Sequence, residues 1–116
     1  MGVSYRQDVG DTRESPSEIF FRAAQKEGAQ IDCHDPYVNY WPELNINVSN
    51  KLPTRLDYDC LVFAIPHQEY KSINFRDWLG KSNGIVIIDA NNVIEEKQAT
   101  DINYLNHKLI SVGRGI

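Results

Sequence analysis

Between Tyr5 and Glu14 the chain gathers a phenol ring, two guanidinium groups and three carboxylates: Tyr5, Arg6, Asp8, Asp11, Arg13 and Glu14. Directly after them, Ser15-Pro16-Ser17-Glu18 reads as the start of a helix. The first turn of a helix presents N–H groups without intrahelical partners at the positive end of its dipole. Arg forks donate two parallel hydrogen bonds to the same kind of acceptor. The junction therefore suits an anion such as a phosphate. The plainer alternative is an Asp11–Arg13 ion pair that steadies the turn, and residue types alone weigh the two evenly.

Those residues need elements to hold them. Ser15 is a capping residue, Pro16 fits the first helical position and Glu18 completes a capping box. Ile19, Phe20, Ala23 and Ala24 recur at helical spacing as one apolar face, and Gly28 stops the helix. Residues 29–34 alternate as a strand that Asp35-Pro36 ends. Residues 37–57 form a long connection that Tyr40, Trp41 and Leu44 pin to the body. Residues 59–66 and 84–89 are uninterrupted apolar runs of the kind that form buried parallel strands, and residues 108–112 close the series. Residues 67–80 hold a helix packed through Tyr70, Ile73, Phe75, Trp78 and Leu79, whereas residues 91–106 are weakly helical at best. Alternation of this kind predicts an α/β domain of three layers, αβα, with a mostly parallel sheet. Ligands of such sheets collect at the carboxyl ends of the strands. Here those ends are residues 5–13, His34-Asp35-Pro36, Pro66-His67 and residues 89–93, which include Asn91.

Composition narrows the partners. The chain has 116 residues, 41% hydrophobic content and a net charge of −4. That is one globular domain with interspersed charge and no basic stripe for nucleic acid. Its longest apolar runs are too short to cross a bilayer, and the polar start carries no signal-peptide pattern. Cys33 and Cys60 fall in expected strands as buried thiols, which implies a cytoplasmic location. Cys33, His34, Cys60 and His67 match no zinc framework, so no metal is expected, and His67 reads as a surface histidine. Tyr40, Trp41, Tyr70, Phe75 and Trp78 read as core and loop anchors. Asp57, Asp59 and Asp89 read as strand-end solubilisers or turn formers.

The pattern G-x-x-Y-[KR]-x-x-x-x-D-x-R-E-S-P, filled here by residues 2–16, resembles the opening of the C-terminal, UDP-binding domain of the UDP-glucose/GDP-mannose dehydrogenase family. Asp35-Pro36-Tyr37, Ile87-Ile88-Asp89-Ala90-Asn91-Asn92-Val93 and Ser111-Val112-Gly113-Arg114-Gly115 resemble its later segments. The resemblance implies a Rossmann-like fold whose first strand is present here only as its last few residues, ahead of Tyr5. It implies that Tyr5, Arg6, Asp11, Arg13 and Asn91 contact a UDP-sugar. Arg6 stands where the family has a Lys. Asn91 stands where it commonly has a basic residue, a loss worth about a kcal/mol or more if the position is used.

Family enzymes oxidise the sugar C6 alcohol to a carboxylate with NAD and a catalytic Cys. They carry a G-x-G-x-x-G loop and a G-G-S-C-type motif in an N-terminal and a central domain. Neither motif occurs in this chain. The resemblance therefore implies a 1–116 nucleotide-sugar-binding domain with no catalytic residue and no cofactor of its own, working with the NAD-binding and central domains of a parent enzyme. The wording of residues 3–17 is closer to the UDP-N-acetyl-aminosugar branch, which implies surface-polysaccharide synthesis. A sheet lacking its central strand also implies an open edge through which two copies could pair. Two other readings stay open: a non-enzymatic flavodoxin- or receiver-like module with Asp89 as phosphoryl acceptor, and a degenerate remnant that binds nothing.

Overall fold

The computed structural model describes residues 1–112. Gly113, Arg114 and Gly115 of the tail motif lie outside the described residues. The elements, in chain order, are α1 (Pro16–Lys26), β1 (Tyr40–Trp41), β2 (Ile46–Asn47), β3 (Cys60–Phe63), α2 (Gln68–Lys71), α3 (Phe75–Leu79), β4 (Val86–Asp89), α4 (Glu96–Tyr104) and β5 (Lys108–Ser111). Strands β3, β4 and β5 make a parallel sheet in that order, with Val62 opposite Ile88 and Ile88 opposite Ile110. A two-residue antiparallel ladder joins β1 to β2 around a turn in which Asn45 takes a left-handed conformation. The Rossmann-like αβα class expected from the sequence is the one observed.

Two apolar clusters divide the molecule. The larger packs Leu61, Phe63, Ile85 and Ile87 of the sheet against Tyr70, Ile73, Phe75 and Leu79 of α2–α3 and against Ile102 of α4. The smaller joins Val3, Phe21, Val38, Trp41 and Val48, with Ile31 and Cys33 partly buried beside them. Only one sheet face is fully covered. Burial alternates along β3 and β4, and the row Val62, Ile88, Ile110 remains half-exposed, so these strands are not buried on both faces as their apolar runs imply.

Several local expectations change. In α1 the buried positions are Ser17 and Phe21, one turn apart, while Ile19 and Phe20 face outward at 78% and 51% exposure. Ser15 caps by accepting the Ser17 N–H, and Glu18 turns to Arg22 instead of closing a capping box. Residues 29–33 form no ladder. Their segment touches strand-like neighbours only where Gly2 N–H donates to His34 O and Ser49 N–H donates to Cys33 O. A strand needs a neighbour along its whole edge, and this one has it only at its end.

Cys33 is consequently half-buried outside any strand, and Cys60 is exposed at the first residue of β3. Residues 67–80 split into the short helices α2 and α3, and α4 is a full helix where little helicity was expected. Besides Ile102 in the core, it is held by one buried polar residue. Gln98 accepts the Glu95 N–H and donates to Tyr70 O and Ile73 O, closing the start of α4 and tying it to the α2–α3 corner.

Candidate nucleotide site at the strand ends

The first loop is fastened at both ends. Gly2 has φ +100°, and a Cβ there would lie 2.7 Å from Ile65 Cβ, so only glycine lets the chain pass so close to the end of β3. Ser17 Oγ donates to Gly2 O and Ser15 Oγ to Ser4 O, so the helix start is also the wall of the loop. Tyr5 N–H donates to Asp11 O and closes the loop upon itself.

Beneath the loop lies a polar cluster that is entirely buried. Asp35 Oδ2 accepts the Val3 and Ser4 N–H groups at 2.9 and 3.1 Å and the His67 Nε2–H at 2.9 Å; Asp35 Oδ1 accepts the Tyr37 N–H at 2.8 Å. Burial works against the Asp35 charge most strongly, but the hydrogen bonds from His67, Tyr37 and Val3 outweigh it and hold the carboxyl below its ordinary value. His67 Nδ1 accepts the Asp8 N–H at 2.8 Å, which assigns the proton to Nε2. His67 is thus no surface histidine: it is 0% exposed, because acceptors and donors from the first two loops enclose it. Ser4 Oγ also lies 3.0 Å from Nε2. Serine and aspartate on the same nitrogen, all out of solvent, cannot relay a proton to a nucleophile, so this is a structural cluster and no hydrolase triad.

Above it opens a cleft of about 620 Å³ lined by Tyr5, Arg6, Gln7, Ile65, Pro66 and Asn91, among others. The lining comes from the first loop and from the carboxyl ends of β3 and β4, the expected ligand position in an open α/β sheet. Its volume falls in the range of small-ligand sites. Arg6 makes no side-chain hydrogen bond or ion pair among the described residues, so its guanidinium is available. Asn91 is presented by a loop wound around buried Asp89, whose carboxylate accepts the Asn91, Val93 and Ile94 N–H groups. Asp89 is therefore a turn former and not a solubiliser.

Arg13 and Asp11 stand apart from Arg6. With Tyr5 and Glu14 they line an adjoining hollow of about 420 Å³. They form the pair that the sequence allowed: Arg13 Nη2 donates to Asp11 Oδ2 at 2.7 Å and Nε to Oδ1 at 3.0 Å. The Arg13 hydrogen bonds lower the Asp11 carboxyl to about 2. The Arg13 side chain remains 82% exposed. Of the five sequence candidates, Tyr5, Arg6 and Asn91 share the main cleft, and only Tyr5 also touches the hollow of Asp11 and Arg13. The sequence placed Asp35 and His67 in strand-end segments but gave neither a part in the site, and their buried contact with each other had no local signal.

A glycine-tight first loop, a capped helix and a cleft at parallel strand ends define a nucleotide-binding domain of the Rossmann-like class. The chain belongs to the UDP-glucose/GDP-mannose dehydrogenase family, as its UDP binding domain, whose family model matches residues 1–96. It is 30% identical over 100 residues to UDP-N-acetyl-D-mannosamine dehydrogenase of Methanocaldococcus jannaschii and 31% over 98 residues to that of Pyrococcus horikoshii. Each match covers 83% of this chain and 22% of the relative, so the chain spans about a fifth of their length. Among solved structures, the NDP-N-acetyl-D-galactosaminuronic acid dehydrogenase of Methanosarcina mazei superposes with a TM-score of 0.80 at 30% identity, over 97% of this chain and 23% of that one. The Pyrococcus horikoshii UDP-D-ManNAc dehydrogenase superposes at 0.71 with 25% identity, over 98% of this chain and 24% of that one. These matches displace the receiver-like reading. No helix among the described residues is long and apolar enough to cross a membrane.

Proposed function

We propose that the strand-end cleft holds the diphosphate of a UDP-sugar, with Arg6 as its cation, Tyr5 against the base or ribose and Asn91 as a neutral partner from the facing loop. Arg13, oriented by Asp11, extends the site from the adjoining hollow. The observation that carries this reading is an unpaired guanidinium on a cavity of nucleotide size in a domain of the UDP-binding family. The domain serves a NAD-dependent UDP-sugar 6-dehydrogenase that oxidises the C6 alcohol to a carboxylate. NAD and the catalytic Cys belong to other domains of that enzyme. The names of the relatives favour an N-acetylated amino sugar, and hence surface-polysaccharide synthesis in the cytoplasm. The outer edge of β3 supports pairing of two copies, because Ala64 N–H to Met1 O is its only backbone bond on that side among the described residues.

Titration of the 15N-labelled chain with UDP and with uridine tests the reading. UDP is expected to shift the amides of Tyr5, Arg6, Gln7 and Asn91, and uridine to bind at least about tenfold more weakly for want of the charged contacts. Equal affinity for the two, or no shift at millimolar UDP, would sink it and favour a remnant without a ligand.

A further inference from the structure

The turn that carries Arg6 is held in part by a residue that does not line the cleft. Asp8 has φ +58°, a left-handed conformation that needs support from its surroundings. Most of that support comes from two adjacent residues at the start of α2, the N-cap His67 and Gln68. The Asp8 N–H donates to His67 Nδ1 at 2.8 Å, and Asp8 Oδ1 accepts the Gln68 N–H at 2.9 Å. The Tyr37 ring meets the same imidazole in a tilted contact, with ring centroids 5.1 Å apart. The opposite nitrogen is anchored on Asp35. The ring therefore links the two segments, with Nε2 between Asp35 and Ser4 and Nδ1 on Asp8.

We propose that His67 is a positioning residue of the cleft: by accepting the Asp8 N–H at Nδ1 it fixes the 5–8 turn and sets Arg6 on the cavity wall. The ligand in this inference rests on the nucleotide reading above; the ordering of the turn does not.

Two isosteric variants separate positioning from mere stability. In His67→Asn the side-chain oxygen sits where Nδ1 was, so an acceptor for Asp8 remains while the bond to Asp35 is lost. In His67→Gln the amide sits where Nε2 was, so Asp35 keeps its donor while Asp8 loses its acceptor. Asp35 is the buried charge, so stability should rank Gln above Asn. Positioning demands the reverse order in function. His67→Asn is expected to hold UDP within about threefold of wild type, and His67→Gln to weaken it about tenfold, the worth of one well-placed hydrogen bond. Without any ligand, hydrogen exchange at the Arg6 and Asp8 amides should accelerate in His67→Gln and stay slow in His67→Asn.

If Gln ranks above Asn in affinity and amide protection as well as in stability, or if both variants match wild type, the proposal is overturned. If wild type binds no UDP, the nucleotide reading fails, and the ligand-free exchange still decides this one. Should neither variant fold, wild type decides alone. A scalar coupling between the Asp8 amide nitrogen and His67 Nδ1 is expected, and fast exchange at Asp8 without such a coupling contradicts it.

Discussion

The cluster around Phe63 and Phe75 and the cluster around Trp41 are held in different ways. In the first, a parallel ladder sets the register and apolar side chains from three helices fill one face, so backbone pairing and burial reinforce each other. In the second, α1 and the β1–β2 hairpin bury Phe21 against Trp41 with only a two-residue ladder. Between them runs a polar seam. Tyr70 of the larger cluster is hydrogen-bonded to His34, at Nδ1 and at the carbonyl, while Asp35 meets His67. Apolar burial is tolerant of small errors, whereas a buried polar contact is costly when one partner is lost. The cleft lies on the seam, drawing Arg6 from one side and Asn91 from the other. Its geometry is therefore set by the less tolerant of the two kinds of contact.

The contrast can be broken first at Asp35. Replacing it with Ala leaves buried donors from Val3, Ser4, Tyr37 and His67 without their acceptor. A cost of about 3–5 kcal/mol is expected, a large part of the stability of a domain this size. Urea unfolding measures it, and a loss below about 1 kcal/mol would mean that the seam does not hold the halves together.

Acid should act on the same seam with a slightly smaller effect. Burial lowers His34 from 6.5 to about 4. The unfolded chain therefore takes up the proton first. The contribution is complete above pH 6.5, declines as the pH falls towards 4 and is exhausted below it, amounting to roughly 3 kcal/mol. Asp35, held below its ordinary value, continues the loss in the same direction at lower pH. Melting temperatures between pH 7 and pH 4 test this, with His34→Gln expected to flatten the decline. An equal slope in that variant would place the titrating group elsewhere.

The same division explains what could be read from the chain. Residues 60–63, 86–89 and 108–111 were visible as strands because apolar runs bounded by polar residues leave few alternatives. The start of α1 was visible because Ser15-Pro16 acts locally. Residues 29–33 show strand alternation, but pairing is a property of neighbours, and those residues have a neighbour only at their end. Helix α4 was hidden because it offers few apolar positions and depends on Gln98 reaching the backbone of Tyr70 and Ile73. His67 was misplaced for the same reason: its burial is decided by Asp35 and Asp8, 32 and 59 residues away. In the site, Asn91 was legible as a residue just past a strand end. Tyr5 and Arg6 were expected at the end of a strand and lie in a loop, because residues 1–5 form no ladder among the described residues. The turn of Arg13 away from the main cleft was not legible, because the Asp11–Arg13 pair and an anion compete for the same guanidinium.

Calorimetric titration of UDP into wild type, Arg6→Gln and Arg13→Gln tests the central claim most directly. A ligand in the strand-end cleft should make Arg6→Gln weaken binding about tenfold, the worth of one charged hydrogen bond, and Arg13→Gln by less than about threefold. No binding by the folded wild-type chain, or a greater loss in Arg13→Gln than in Arg6→Gln, would contradict the account.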